Sequence, residues 1–368
     1  MIAELQDLIS LYNEREDLLK NIPKPKIGIL SNYVPEEIIY AMGLLPVKIN
    51  GDKSFNKINA TSCLHHCMCS YILDSYDEAA NHQFDYLDGV IIANACDARR
   101  CLHDAWKQYL APNFIHFLDI PKLISEDSIF FFQNQIELLV KHLQETFNTH
   151  LNDDKLKEAI ELYNETRRLL KQFDELYVNN QIDISAYDYI TIIKASSSGL
   201  NEIFNSRMRK FLDIAHNYKP EKKYKASTLL VGCYFDNKDI INILEDCGVK
   251  IVVFYNSNGL KKFEILVDTD GDLIFNLAKS YISRRISPKI IRPDYHYDKI
   301  NELIKKYDID TVLFFTLKFC DNNMIDEVFL KMEMKKHKIP LLAIDSERNQ
   351  STVQNIKTRI QTFYELYS

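Results

Sequence analysis

The chain has 368 residues, of which 46% are hydrophobic and 26% are charged, and its net charge is −7. This composition is typical of a globular protein with two domains of ordinary size. The negative charge and the lack of a basic block argue against a nucleic-acid partner. No apolar run approaches the roughly 20 residues that cross a membrane, so we expect no membrane partner.

The first segment, "MIAELQDLISLYNERED", mixes acids with apolar residues at helical spacing, which is unlike a signal peptide. We therefore expect a cytoplasmic protein. Reducing conditions there argue against disulfides among the eight cysteines. Most cysteines would then be small buried hydrophobic residues unless they have a chemical role.

Eight short apolar runs predict strands, four in each half of the chain. Between the two sets, helical periodicity continues from about residue 124 to residue 224. This alternation predicts an α/β fold with parallel strands, divided into residues 1–123, 124–224 and 225–368. The predicted strands are "KIGILSN", "LPVKIN", "YLDGVIIANA" and "NFIHFLDIP", then "STLLVGCYF", "VKIVVFYN", "DTVLFFTLKF" and "IPLLAIDSE".

Nucleotide-binding loops are missing from the sequence. Glycine is scarce, at nine residues, and no G-x-G-x-x-G follows the first predicted strand. No phosphate loop ending in Lys-Ser or Lys-Thr is present either. These absences argue against an ordinary dinucleotide or nucleoside-triphosphate site.

A Cys-Asp pair follows a predicted strand in each half of the chain. Cys96 follows "VIIANA" and Cys320 follows "VLFFTLKF". Ligands bind beyond the carboxyl ends of strands in open parallel sheets. The segments after both cysteines are predicted helices, whose N-termini favour the thiolate form. If the two domains face each other across a cleft, both thiolates could reach one ligand.

A third source of thiols is the stretch "TSCLHHCMCSY", which contains Cys63, Cys67 and Cys69 with two histidines. The spacing lacks the C-x-x-C pair of a zinc finger. Three thiolates from separate segments fit an iron–sulfur cluster with one iron left free. The alternative is a cysteine-rich loop without metal.

Longer stretches resemble a known family. "SNYVPEEIIYAMGLLPVKING", "CSYILDSYDEAANHQFDYLDGVIIANACDARR" and "IPLLAIDSERNQSTVQNIKTRIQTFYEL" are similar, in this order, to the 2-hydroxyacyl-CoA dehydratase D-component family, which includes benzoyl-CoA reductase subunits. The resemblance implies two Rossmann-like domains joined by a helical segment, with a [4Fe-4S] cluster in the cleft between them. It also implies an acyl-CoA substrate, a homologous sister subunit or a second copy of the chain as dimer partner, and an ATP-dependent [4Fe-4S] activator protein.

Carried over by position, the resemblance implies Cys96 and Cys320 as cluster ligands. Cys69 fits the remaining ligand best, with Cys67 second and Cys63 third. The implied reaction converts a 2-hydroxyacyl-CoA to an enoyl-CoA through a ketyl radical, after the activator supplies one electron. The open iron would act as a Lewis acid and electron port.

Two further residues are candidates for catalysis. Ser31 ends the first predicted strand, and Glu37 opens the helix that follows. Either could hydrogen-bond the hydroxyl group of the substrate. For Glu37 the structural interpretation, a favourable charge at a helix start, is preferred. Asn94 and Asp97 could orient Cys96 in a similar way.

Most other polar candidates have a simpler interpretation. Arg99 and Arg100 are expected at solvated helix positions rather than on coenzyme A. The two histidines of the cysteine-rich stretch are expected on the surface. Trp106, Cys101 and Cys247 are expected to have packing roles.

Two alternative functions remain open. One is an ATP-dependent acyl-CoA reductase of the benzoyl-CoA type, or a double-cubane cluster reductase with Cys233 as an extra ligand. The other is an electron-relay or supporting subunit without catalysis of its own. Iron content would separate the single cluster from the double cubane.

Overall fold

The structure is a computed structural model that describes residues 3–52, 56–215, 224–284, 293–347 and 353–367. The stretch "NYKPEKKYKA" (residues 217–226), which the sequence predicts as a polar, lysine-rich connection into the second half, lies mostly outside the described residues. Two parallel four-stranded sheets form the framework, which confirms the predicted α/β class. Within the described ranges, every helix is too short or too polar to cross a membrane.

The first sheet has the strand order β2-β1-β3-β4, with all neighbours parallel. Its strands are β1 (Lys26–Ile29), β2 (Leu45–Lys48), β3 (Gly89–Ala93) and β4 (Ile115–Leu118). The helices of this half are α1 (Ala3–Asn13), α2 (Arg15–Lys20), α3 (Glu36–Ala41), α4 (Ile58–Cys63), α5 (Ser70–Ala80) and α6 (Asp97–Ala105), and a π-helical turn follows at Trp106–Leu110.

The second sheet repeats this arrangement, with the order β6-β5-β7-β8 and parallel neighbours throughout. Its strands are β5 (Ala226–Gly232), β6 (Val249–Tyr255), β7 (Thr311–Leu317) and β8 (Leu341–Ser346). The helices are α11 (Lys238–Asp246), α12 (Leu273–Ser283), α13 (Pro293–Tyr307), α14 (Asp321–His337) and α15 (Val353–Tyr367), with a short 3-10 helix at Leu260–Lys262.

A helical segment connects the two halves, as the periodicity predicted. Its helices are α7 (Glu126–Phe147), α8 (Asp153–Val178), α9 (Ala186–Ala195) and α10 (Asn201–Ala215). Helix α7 packs against α12, and α8 packs against both α3 and α12. The segment therefore contacts elements of both halves and fixes one against the other.

The central strands of both sheets form because their apolar runs are covered on both faces. Every residue of β3 and of β7 is buried, as parallel strands between helical layers require. All eight predicted strands are confirmed within the described residues. Trp106 is buried and its ring meets that of Tyr76 edge-on at 6.4 Å, which confirms its packing role.

A buried ion pair joins the first half to the helical segment. The carboxylate of Glu37, at the start of α3, accepts hydrogen bonds from the guanidinium of Arg167 on α8 and from the hydroxyl of Tyr281 on α12, the latter at 2.6 Å. Burial opposes ionisation of Glu37, yet Arg167 and Arg284 hold its pKa below the usual range. Glu37 is therefore ionised, and it binds three elements together.

Replacing Glu37 by Leu should destabilise the fold, because it leaves the buried Arg167 without its carboxylate. We expect the free energy of unfolding to fall by about 3 kcal/mol in chemical denaturation. Glu161→Gln is the matched control, since the Glu161–Arg168 pair is half-exposed and should contribute under about 1 kcal/mol. Equal losses in the two variants would contradict a structural role for Glu37.

Candidate functional site

One cavity of about 130 Å³ lies at the carboxyl ends of both sheets. In each sheet the chain reverses its winding direction between two central strands, β1 and β3 in the first and β5 and β7 in the second. Ligands of open α/β sheets bind at this kind of reversal point. Residues that follow these four strands line the cavity together: Ser31, Asn32, Tyr33, Ala95, Cys96, Cys233, Tyr234 and Cys320.

Three of the lining cysteines each occupy the N-cap of a helix. Cys69 precedes α5, Cys96 precedes α6 and Cys320 precedes α14. The positive end of the helix dipole therefore faces each thiol and favours negative charge there. The cysteines themselves take the capping positions, whereas the aspartates that follow Cys96 and Cys320 lie in the first helical turns.

The repeat of the two halves extends to the thiols. Cys96 lies three residues beyond Ala93, the last residue of β3, and Cys320 lies three residues beyond Leu317, the last residue of β7. Because both strands occupy the same position in their sheets, the same local geometry delivers a thiol from each half. The two Cys-Asp pairs are therefore equivalent positions of one repeated unit.

Only one cysteine of the "TSCLHHCMCSY" stretch lines the cavity within the described residues. Cys69 is buried and lines it, whereas Cys67 is exposed and Cys63 is half-buried. His65 and His66 are exposed, as expected, with their rings stacked at 4.5 Å. Donor atoms of the two histidines and Cys67 lie within 4.8 Å of one another on this surface loop, outside the cavity.

A fourth thiol, Cys233, lines the same cavity. It follows β5 directly and is only 6% exposed. The backbone N–H of Leu317 donates to its Sγ at 3.3 Å, and its thiol hydrogen-bonds Cys320. The signal for this residue was its position at the end of β5, the neighbour of β7. Cys101, by contrast, is exposed on α6, so its expected packing role is wrong.

Two cations also line the cavity, which the sequence did not reveal. Lys48 ends β2 and donates a hydrogen bond to Asn32. The Arg99 guanidinium lies 5.2 Å from the centre of the Tyr71 ring, and its buried Nη1 has no hydrogen-bond partner among the described residues. The expectation that Arg99 is solvated is therefore wrong, whereas Arg100 is exposed as expected.

The balance of charge favours an anionic or thiolate-bound ligand. The described residues that line the cavity include no carboxylate. Burial, and then the nearby Arg99, lower the pKa of Lys48, so its positive charge is favoured when an anion lies in the cavity. Such a site would attract an anion, and it can offset negative charge on ionised thiols.

The thiols influence one another's ionisation. The hydrogen bond with Cys233 lowers the pKa of Cys320 to about 6. Burial, and then the proximity of Cys320 and Cys96, raise the pKa of Cys69. Like charges this close resist simultaneous ionisation unless a cation lies between them. Soft thiolates are the donors that zinc and iron–sulfur clusters take, so the residues fit such a centre.

The remaining candidates divide between the cavity and the framework. Ser31 lines the cavity, and its Oγ accepts a hydrogen bond from the N–H of Tyr33 at 3.2 Å. Glu37 does not line the cavity and lies in the buried ion pair with Arg167. Asn94 donates a hydrogen bond to Asp119 at 2.7 Å.

Comparison with known proteins gives a consistent picture. Residues 31–366 match the family model described as 2-hydroxyglutaryl-CoA dehydratase, D-component. The (R)-phenyllactyl-CoA dehydratase beta subunit of Clostridium sporogenes is 24% identical, over 96% of this chain and 98% of the relative. A subunit of the benzoyl-CoA reductase of Thauera aromatica is 22% identical, over 92% and 89%. The (R)-2-hydroxyglutaryl-CoA dehydratase subunit beta of Acidaminococcus fermentans is 22% identical, over 93% and 92%.

Proposed function

Because the chain belongs to the 2-hydroxyglutaryl-CoA dehydratase D-component family, we propose that it is a subunit of a radical 2-hydroxyacyl-CoA dehydratase. The family is the dehydratase component of these enzymes, which are lyases. The observation that carries the proposal is the convergence of Cys69, Cys96 and Cys320, from distant parts of the chain, on one cavity. The substrate would be a 2-hydroxyacyl-CoA and the product an enoyl-CoA.

Cys69, Cys96 and Cys320 would hold a [4Fe-4S] cluster. Three thiols at helix N-termini supply soft donors, and iron would hold them as thiolates against the burial that raises the pKa of Cys69. Cys67 is the less favoured candidate, because it is exposed and lies outside the cavity lining. When bound, the cluster would supply one-electron chemistry and, at an iron without a protein ligand, Lewis acidity.

The side chains around the thiols would bind and orient the substrate. Arg99 and Lys48 would offset the negative charge of the thiolates and of an electron-rich thioester oxygen. Ser31 would hydrogen-bond the hydroxyl group on C2. Apolar groups such as Leu317 would limit the access of water.

The proposed reaction is redox-neutral overall. One electron, supplied by an ATP-dependent [4Fe-4S] activator protein, reduces the thioester carbonyl of the substrate. The hydroxide on C2 can then leave, and the proton on C3 becomes acidic enough to be removed. The electron is returned at the end, so the net change is the loss of one water.

A reductase is the second candidate. It is favoured by the likeness to the benzoyl-CoA reductase protein of Thauera aromatica, whose identity to this chain is close to that of the dehydratase subunits. The two functions would share the activator and the cluster. They differ in product, because a reductase would keep the electrons in the acyl group.

Iron content and turnover test the proposal together. Anaerobically reconstituted protein should hold about four irons per chain. Cys96→Ser and Cys320→Ser should each lose at least about half of this iron without unfolding, because each removes one of the few protein ligands. Cys101→Ser is the matched control, since this thiol is exposed and should leave the iron unchanged. Cys67→Ser should keep its iron if Cys69 is the first ligand, and it should lose iron if Cys67 is.

The same preparations should then be assayed with a sister subunit, activator, ATP, a reductant and a 2-hydroxyacyl-CoA. The wild-type chain should support the formation of enoyl-CoA. Cys96→Ser and Cys320→Ser should not support it. Reduction of benzoyl-CoA in place of dehydration would favour the second candidate. Wild-type protein that holds no iron would contradict both candidates, and about eight irons would favour a double cubane.

An apolar face of α14 suggests where the sister subunit binds. The helix begins directly after Cys320, so a partner on this face would lie beside the cavity. The exposed side chains follow helical spacing along one side, and solvated helices rarely present such a patch. Those at least half exposed are Met324, Ile325, Val328, Phe329 and Met332. Since relatives are named beta subunits, the proposed occupant is a homologous subunit.

Placing a charge on this face should prevent assembly. Phe329 is 50% exposed, and Phe329→Glu replaces its aromatic ring by a carboxylate. This variant should lower the affinity for the sister subunit by at least about tenfold. Light scattering of the co-purified proteins measures the assembly. Leu138→Glu on α7 is the control, because it changes an equally exposed apolar residue on another helix. Unchanged assembly of Phe329→Glu would exclude this face.

A further inference from the structure

We propose that Cys233 is a fourth sulfur ligand of the same centre. This inference rests on the proposed function, because it assumes that Cys69, Cys96 and Cys320 hold a cluster. Four cysteines are the full complement for a [4Fe-4S] cluster, so no iron would be left for the substrate. The Lewis acidity at an open iron and the substrate contacts considered above would then apply only where this ligand is absent. With Cys233 bound, the chain would store and pass electrons, and a sister subunit with an open site would bind the acyl-CoA.

The first support is the position of Cys233 in the sheet. It directly follows β5, and Cys320 follows β7, which is the neighbour of β5. Parallel strands end on the same side, so both thiols reach the same edge. Cys233 and Cys320 hydrogen-bond each other, and both line the cavity with Cys69 and Cys96.

The second support is the backbone that holds Cys233. Gly232 has φ +120°, and a Cβ at this position would lie 2.1 Å from the carbonyl oxygen of Phe315. Only glycine allows this approach. The N–H of Cys233 donates to the same oxygen at 2.9 Å, and the Asn256 amide donates to the Cys233 carbonyl at 3.1 Å. These contacts fix the backbone that carries the thiol.

The third support is the environment of the sulfur. The N–H of Leu317 donates to Sγ of Cys233, and hydrogen bonds of this kind stabilise sulfur that carries negative charge. The described residues around the cavity supply two cations, Lys48 and Arg99, and no carboxylate. Ligation would release the thiol proton to solvent and form one iron–sulfur bond, with no change in oxidation state.

The test measures how easily one iron is lost. Mild anaerobic oxidation with ferricyanide removes the iron that lacks a cysteine ligand and leaves a three-iron cluster, which gives a distinct electron paramagnetic resonance signal. The wild-type chain should keep its four irons and give little of this signal. Cys233→Ala should lose about one iron in four and show the signal several-fold more strongly. Cys101→Ala is the control, and it should behave like wild type.

A rescue experiment distinguishes loss of the sulfur ligand from poor folding of the variant. A small external thiol, such as ethanethiol, should occupy the place vacated in Cys233→Ala and suppress iron loss. Cys233→Ser should lose iron to an intermediate extent, because its oxygen is a weaker ligand for iron. A wild-type cluster that loses iron as readily as Cys233→Ala would overturn the assignment of Cys233. Wild-type protein without iron would overturn the proposed function itself.

Discussion

Crowding of thiols at the meeting point of two sheets is the constraint on which the rest of the site depends. Cys69, Cys96 and Cys320 line one cavity, and burial, followed by the nearby Cys320 and Cys96, raises the pKa of Cys69. Several thiolates in a cavity of about 130 Å³ repel one another strongly when water is excluded. Helix N-termini and two cations reduce this repulsion, and a multivalent cationic core would remove it.

The framework that holds the thiols together lies outside the cavity. Each sheet positions its own cysteine, but the distance between them depends on how the two halves are joined. Helix α8 contacts elements of both halves, and the buried pair of Glu37 and Arg167 fixes it to α3. Glu37, a candidate for catalysis from the sequence, therefore lies in the framework and outside the residues that line the cavity.

Local patterns in the sequence predicted the strands, and they also predicted the places of two cysteines of the candidate site. Apolar runs identified all eight described strands, because a strand buried on both faces must be apolar throughout. A cysteine after a strand and before a helix predicted the places of Cys96 and Cys320, since strand ends and helix starts are local features. The contribution of Arg99 could not be predicted, because the same spacing on α6 fits a solvated position until the neighbouring elements are known. The place of Cys233 beside the other thiols likewise depends on the sheet order, because β5 lies beside β7.

The arrangement of four thiols, two cations and an apolar face on α14 gives one account of how this chain works with a partner. The thiols and cations would hold the proposed cluster, and the helix that carries the apolar face begins directly after Cys320. A homologous protein bound there would bring a second site near the first. Electron transfer between two such sites would then depend on short distances across the interface rather than on a mobile carrier.

The location of iron tests the central claim most directly. Crystals of anaerobically purified protein, measured with X-rays above and below the iron absorption edge, reveal iron by its anomalous scattering. The account predicts a compact group of iron atoms in the cavity between Cys69, Cys96 and Cys320. Iron found only elsewhere, for example at the exposed histidines of residues 65 and 66, or no iron at all in active protein, would contradict it.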